Sequence, residues 1–238
     1  MQVFKVYQQE TLKYFHSIAI LLFVTVGVSA QTKTDTTETK KKPTSFVPTG
    51  VRVGTDLIAI GMTRYVDSYK GWEVNADVDF SRYYLAVDVG SWSRDYDNGA
   101  EIYSNNGNYF RIGGDVNFLL KDPDRNMFFL GLRYGRSKFS ESLQVNKIDS
   151  MWNNNPVNER YSNSNSNGSW FELTTGIRVK IWKVIWMGYT ARLKFGLTTN
   201  EDGNLIPHDI PGYGRTDKNV AWGFNYQIFV RIPVRRQQ

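Results

Sequence analysis

Residues 72–80 read Trp72-Glu73-Val74-Asn75-Ala76-Asp77-Val78-Asp79-Phe80. Apolar and polar residues alternate strictly. Wound into a helix, the carboxylates would spread around the axis; in a strand they all fall on one face and the apolar residues on the other. Only Ser81 and Arg82 separate this strand from Tyr83–Trp92, where Leu85, Val87 and Val89 alternate with Tyr84 and Asp88, so the two form a tight hairpin.

The same rhythm recurs along the chain. A first strand is expected from Val51 to Tyr65, with Val53, Leu57 and Ala59 opposite Arg52 and Asp56, although Ile58, Ile60 and Met62 blur it. Further strands are expected over Asn108–Leu120, Met127–Arg136, Trp170–Trp182, Ile185–Leu197 and Val220–Ile232. Short connections follow the second, fourth and sixth strands, the fourth ending in the turn-forming Lys121–Asn126. Longer ones follow the others: Val66–Gly71, Ser93–Asn108, Ser137–Ser169 and Thr199–Asn219. The third of these includes Ser162–Gly168, built almost wholly of Asn and Ser, and its composition predicts a mobile exposed loop.

Strands with one apolar face and alternating short and long connections predict an all-β fold, an eight-stranded antiparallel transmembrane β-barrel. Long loops would lie outside and short turns in the periplasm, with both termini periplasmic. A mean hydropathy of -0.44 suits a membrane protein only if alternate residues face lipid. Trp72, Tyr65, Trp92, Tyr109, Trp170, Trp182, Trp186 and Trp222 fall near strand ends, where amphipathic rings favour the headgroup region.

The amino terminus predicts export. Lys5 and Lys13 precede the apolar run Tyr14–Val28, and Val28-Ser29-Ala30 provides a cleavage pattern, so residues 1–30 read as a signal peptide. Residues 31–45 read as a flexible polar periplasmic leader, 46–234 as the barrel and 235–238 as a basic tail. With no cysteine, the chain has neither disulfide nor lipobox, so the barrel itself must provide membrane attachment.

The formal charge is +6, and removing residues 1–30 leaves 27 basic against 22 acidic residues. The surplus sits at one pole, in Lys40, Lys41 and Lys42 of the leader and Arg235 and Arg236 of the tail, whereas the long loops are mildly acidic. That distribution argues against nucleic acid as a partner. It fits outer-membrane lipid around the wall and an envelope protein docking on those five residues.

The inward parity carries Glu73, Asp77, Asp79, Asp88, Arg111, Asp115, Arg133, Glu172, Arg178, Arg192, Lys194 and Arg231. Eight strands enclose a bore that side chains fill, so these charges are expected to pair as an interior lattice. Catalytic equipment is thin. The one histidine after the export segment is His208, beside Asp209 in the last long loop, and no motif places a serine nucleophile against it. No His or Cys spacing suggests a metal, and no cofactor is expected.

Pro48-Thr49-Gly50-Val51-Arg52-Val53-Gly54-Thr55-Asp56-Leu57, Asp77-Val78-Asp79-Phe80, Gly113-Gly114-Asp115-Val116-Asn117-Phe118 and Phe129-Leu130-Gly131-Leu132-Arg133-Tyr134-Gly135 together carry a resemblance. Over residues 46–234 the chain resembles the small outer-membrane β-barrel proteins of Bacteroidota, most closely an uncharacterised group within them. The resemblance implies barrel and membrane and transfers no site. In that setting Asp35-Thr36-Thr37 and Asp149-Ser150-Met151 resemble O-glycan acceptor triplets. The expected role is a non-catalytic scaffold or accessory subunit of an envelope assembly or secretion complex. The alternatives are a surface-exposed binding or adhesion protein working through its long loops, and a lipid-modifying enzyme centred on His208.

Overall fold

The computed structural model describes residues 47–149 and 155–234. The export segment, the leader with Lys40–Lys42, Ser150 and the tail with Arg235 and Arg236 lie outside them.

Eight antiparallel strands close into a barrel. They are β1 Gly50–Asp56, β2 Tyr69–Phe80, β3 Tyr83–Asp97, β4 Glu101–Asn117, β5 Met127–Asp149, β6 Asn155–Trp182, β7 Ile185–Asn200 and β10 Val220–Pro233. A helix, α1 (Leu57–Tyr65), follows β1, and a two-stranded ribbon, β8 (Asp209–Ile210) with β9 (Gly214–Arg215), precedes β10. Sequential strands pair as neighbours and β1 closes the ring against β10, from Gly50↔Pro233 to Asp56↔Gln227. The short turns form where the sequence places them. Asp79 accepts the N–H of Ser81, which takes a positive φ, and Asp122 accepts those of Asp124 and Asn126.

Outward side chains make an apolar wall. On β6, Phe171, Leu173, Ile177, Val179 and Ile181 are exposed, as are Trp222, Phe224, Tyr226, Val230 and Ile232 on β10. Phe171 to Ile181, at ~3.3 Å per residue and a tilt of ~40°, spans about 25 Å, the height of a lipid-facing band. Beyond that band the outward positions of β5 turn polar, with Arg136 and Lys138 exposed. Of the rings assigned to the headgroup region, Tyr65, Trp72, Trp182 and Trp222 are exposed, whereas Tyr109, Trp170 and Trp186 are buried inside the bore. Position near a strand end does not override the parity of the strand.

The first strand is half the length expected. Its blurred second half is α1, because Asp56 caps a helix there, accepting the N–H of Ile58 at 3.1 Å. The consecutive apolar residues Leu57–Ile60 do not follow a strand's alternation. α1 takes the place of the missing strand between β2 and β10, and the two sides are sealed differently. Toward β2, Thr55 donates to the carbonyl of Glu73, and the Thr63 hydroxyl both accepts from and donates to the backbone of Gly71. Toward β10, Asp56 accepts the N–H of Tyr226, and beyond it Phe224 and Trp222 pair with β7 but have no strand on the β1 side.

The expected mobile loop Ser137–Ser169 is corrected as well. β5 and β6 stay paired out to Asp149↔Asn155, with one irregularity at Phe139/Glu141. Ser137, Phe139, Glu141, Asn163 and Ser166 face inward and are buried. Asn163 donates to the Glu141 carboxylate at 3.0 Å and to the carbonyl of Leu205 at 2.6 Å, so the polar run serves as hydrogen-bonding lining rather than as slack chain. Bulk polarity reads such a segment as unable to bury itself; its alternation and its partners decide otherwise.

Candidate functional site

The contents of the bore decide what the barrel can transmit. Nearest the short turns, Asp77 receives Arg52 at 2.8 Å and Arg178 at 2.6 Å, while Asp79 receives Arg231 at 3.0 Å. Arg178 lies between the rings of Phe129 and Phe229, and Arg52 lies over Tyr84. Midway, Arg133 bridges Asp88 and Asp115, Arg111 reaches Glu73 at 3.0 Å and Glu172 at 3.2 Å, and Arg192 reaches Glu172 at 2.9 Å and Asp88 at 3.2 Å. Higher still, Tyr109 donates to Glu73 and the Trp170 indole to Glu172. Lys194 ends this stack by donating to the carbonyls of Gly212 and Tyr213.

All twelve residues assigned to the inward parity therefore sit in the bore. Two more belong with them: Arg52, and Asp56, whose carboxylate takes the Asn225 amide. Their parity was visible in the sequence, but the blurred first strand hid their place. With them, seven acids (Asp56, Glu73, Asp77, Asp79, Asp88, Asp115, Glu172) face seven bases (Arg52, Arg111, Arg133, Arg178, Arg192, Lys194, Arg231). Such a balance lets charges remain ionised in a narrow, water-poor interior. The fit is close: a Cβ on Gly131 would lie 2.0 Å from Asp115 Oδ1. The core is a packed polar plug, not a lumen.

The last long loop closes the end of the barrel away from the short turns. Pro211 and Gly212 form the corner of a turn in which Tyr213 donates to Ile210 and Gly212 takes φ 83°. Pro followed by Gly is the residue pair a type II turn requires. This tip enters the barrel mouth, where Ile210 and Tyr213 pack with Tyr109, Phe139 and Trp170. Gly212 rests on the Tyr109 ring, since a Cβ there would lie 2.5 Å from Cγ.

Beside the tip is a cavity of about 710 Å³, a volume suited to a small ligand. Met62 and Val66 from the end of α1, Tyr69 of β2, Arg94 of β3, Tyr103 of β4 and Ile206 of the loop represent its walls. The charged groups of the last loop are separated here. Asp209, buried, receives Arg94 Nη1 at 2.6 Å, while His208 is exposed, its ring edge against Tyr103 and its backbone N–H on Glu141. Among the described residues these two neighbours in sequence form no hydrogen-bonded dyad, and no described serine hydroxyl bonds the His208 ring. Burial pushes the Asp209 and Glu141 carboxyls above the usual carboxylate range, against the opposing pull of Arg94 on the first and of the His208 N–H on the second. Burial and Glu141 push the Tyr103 phenol up. Sequence reading missed this cavity, since its walls come from five separate segments.

Three solved structures are among those similar to the chain. The outer-membrane protein CarO of Acinetobacter baumannii is 12% identical, with a TM-score of 0.37, covering 79% of this chain and 98% of its own. Neisserial surface protein A is 11% identical, with a TM-score of 0.38, over 78% and 96%. A major outer membrane protein from Thermus thermophilus is 13% identical, with a TM-score of 0.42, over 78% and 99%. No curated protein matches the chain in sequence. The family described as "Domain of unknown function (DUF6048)" matches residues 11–237, and the chain belongs to it.

Proposed function

We propose that the chain is a non-conducting, non-catalytic outer-membrane barrel that works by binding at its outer mouth. The apolar band about the wall supports the membrane setting, and the alternation of turn lengths supports periplasmic termini with α1, the β3–β4 and β5–β6 hairpins and the last loop outside. The observation that carries the binding reading is the pairing of a filled bore with a built cavity above it: ion pairs occupy the one path through the barrel, while five chain segments converge on an open, mixed-polarity chamber. A scaffold role through Lys40–Lys42 and Arg235–Arg236 rests on charge pattern alone, because those residues lie outside the described ones.

Native mass spectrometry of the full chain released from its membrane tests the reading. A co-purifying small molecule should be present on the wild type and lost when Leu143→Trp and Val66→Trp fill the cavity. Retention of the same molecule by the filled variant, or a steady porin-sized conductance in planar bilayers, would count against it.

A further inference from the structure

We infer that the outer mouth takes an organic cation with an apolar body. The inference rests on the reading of the mouth as a binding site and names the ligand class that its chemistry selects.

The floor of the cavity holds an incompletely satisfied carboxylate. Asp209 is 2% exposed; its Oδ2 receives Arg94, but its buried Oδ1 has no hydrogen-bond partner among the described residues. Arg94 does not supply the second bond, because its guanidinium is drawn over the rings of Tyr69 and Trp92, at 5.8 and 5.4 Å from their centroids. A buried acceptor left without a donor is costly, and an ammonium group meets that need best, since it brings both N–H and charge.

The surroundings favour the same sign. Asp95, Glu101 and Asp209 line the cavity against Arg94 and Arg215, and Arg215 is already paired with Asp217 at 3.4 Å. An anion would meet this acidic excess beside a buried carboxylate, whereas a cation would meet Asp209 among the tyrosines that line the cavity, Tyr69, Tyr96 and Tyr103. Apolar side chains also line the cavity: Met62, Val66, Leu143, Leu205 and Ile206. A charged acceptor beside apolar side chains suits an aryl- or alkyl-ammonium compound rather than a bare metal ion or a sugar.

The test uses the full exported chain in phosphatidylcholine nanodiscs at pH 7.5 and three probes of one shape: phenethylammonium, 2-phenylethanol and 3-phenylpropionate. Calorimetry should show one phenethylammonium per chain, bound at least tenfold more tightly than the alcohol, with the anion weakest. Asp209→Asn, which keeps shape and removes charge, should weaken the cation about tenfold, in line with the loss of a charge-assisted hydrogen bond, and leave the alcohol unchanged. Arg94→Gln, which frees the whole carboxylate, should keep or tighten cation binding, so the inference stays testable if the Asp209 variant misfolds. Equal binding of the three probes, binding of none, or full cation affinity in a folded Asp209→Asn protein would overturn it. A neutral or anionic molecule found by native mass spectrometry and lost on filling the cavity would overturn the cation alone and leave mouth binding in place.

Discussion

The carboxylate of Asp56 accepts the backbone N–H of Tyr226 at 3.1 Å, at the residue where β1 leaves the barrel wall. A side chain thus stands where the next rung of the ladder would have been. The same carboxylate caps α1 through Ile58 and holds the Asn225 amide at 2.7 Å, so one residue ends a strand, starts a helix and seals the adjoining edge. Asp56→Ala should therefore cost about 2–4 kcal/mol, combining a lost cap with newly orphaned buried donors. Urea unfolding in lipid would measure it. Amide exchange should accelerate first at Trp222, Phe224 and Tyr226; uniform acceleration around the barrel would refute a local seal.

The bore predicts a second set of costs. Asp115 holds Arg133 at 3.0 Å and Arg178 at 3.7 Å. Asp115→Ala would leave two buried guanidinium groups short of a counter-charge and should destabilise by about 3–5 kcal/mol, the range for breaking a buried pair. Gly131→Ala should also destabilise, because its Cβ would displace Asp115. Unfolding midpoints unchanged from wild type in both variants would mean that water rather than the lattice fills the interior.

Orientation can be read on whole cells. The β3–β4 turn at Gly99 has open space around it, whereas Lys121–Asp124 lies at the other end of the barrel. An epitope inserted after Gly99 should be labelled on intact cells, and one replacing Pro123 should be labelled only after the outer membrane is opened. The reverse pattern would invert the topology.

How much of this was legible in the sequence follows from which physical signal each part used. β2, β3, β7 and β10 were plain because half-buried strands write their two faces as alternation. The charge lattice was plain for the same reason, since parity alone directs Asp77 or Arg192 inward. α1 was hidden: its apolar residues continue those of the first strand, and the Asp56 cap and the Thr63 bonds to Gly71 that hold the helix appear only in the fold. The far part of the β5–β6 hairpin was hidden because Asn163 is buried against the last loop through Leu205, a long-range fact that polarity misreports. The mouth cavity was least legible of all, because Met62, Arg94, Tyr103, Leu143 and Asp209 are joined only by closure of the barrel.

The mouth should also respond to pH, with a sign fixed by Asp209 and Glu141. Burial raises both carboxyl pKa values in the folded loop above their values in the open chain, and the opposing contributions from Arg94, from His208 and from the Asn163 and Tyr103 bonds do not reverse the direction. The closed loop therefore binds protons more tightly than the open one. Closure is favoured below the raised pKa values and weakens as pH rises through the window between the open-chain carboxyl range and those values. Amide protection of Leu205–Arg215, corrected for intrinsic exchange, should increase as pH falls from neutral toward the carboxyl range, and Glu141→Gln should flatten part of the change. The inferred ligand reverses the slope, because an ammonium group needs Asp209 ionised: in saturating phenethylammonium, protection should be greatest near neutral pH and decline with acid. A free protein whose loop loosens on acidification would show that the Arg94–Asp209 pair, rather than carboxyl burial, governs closure.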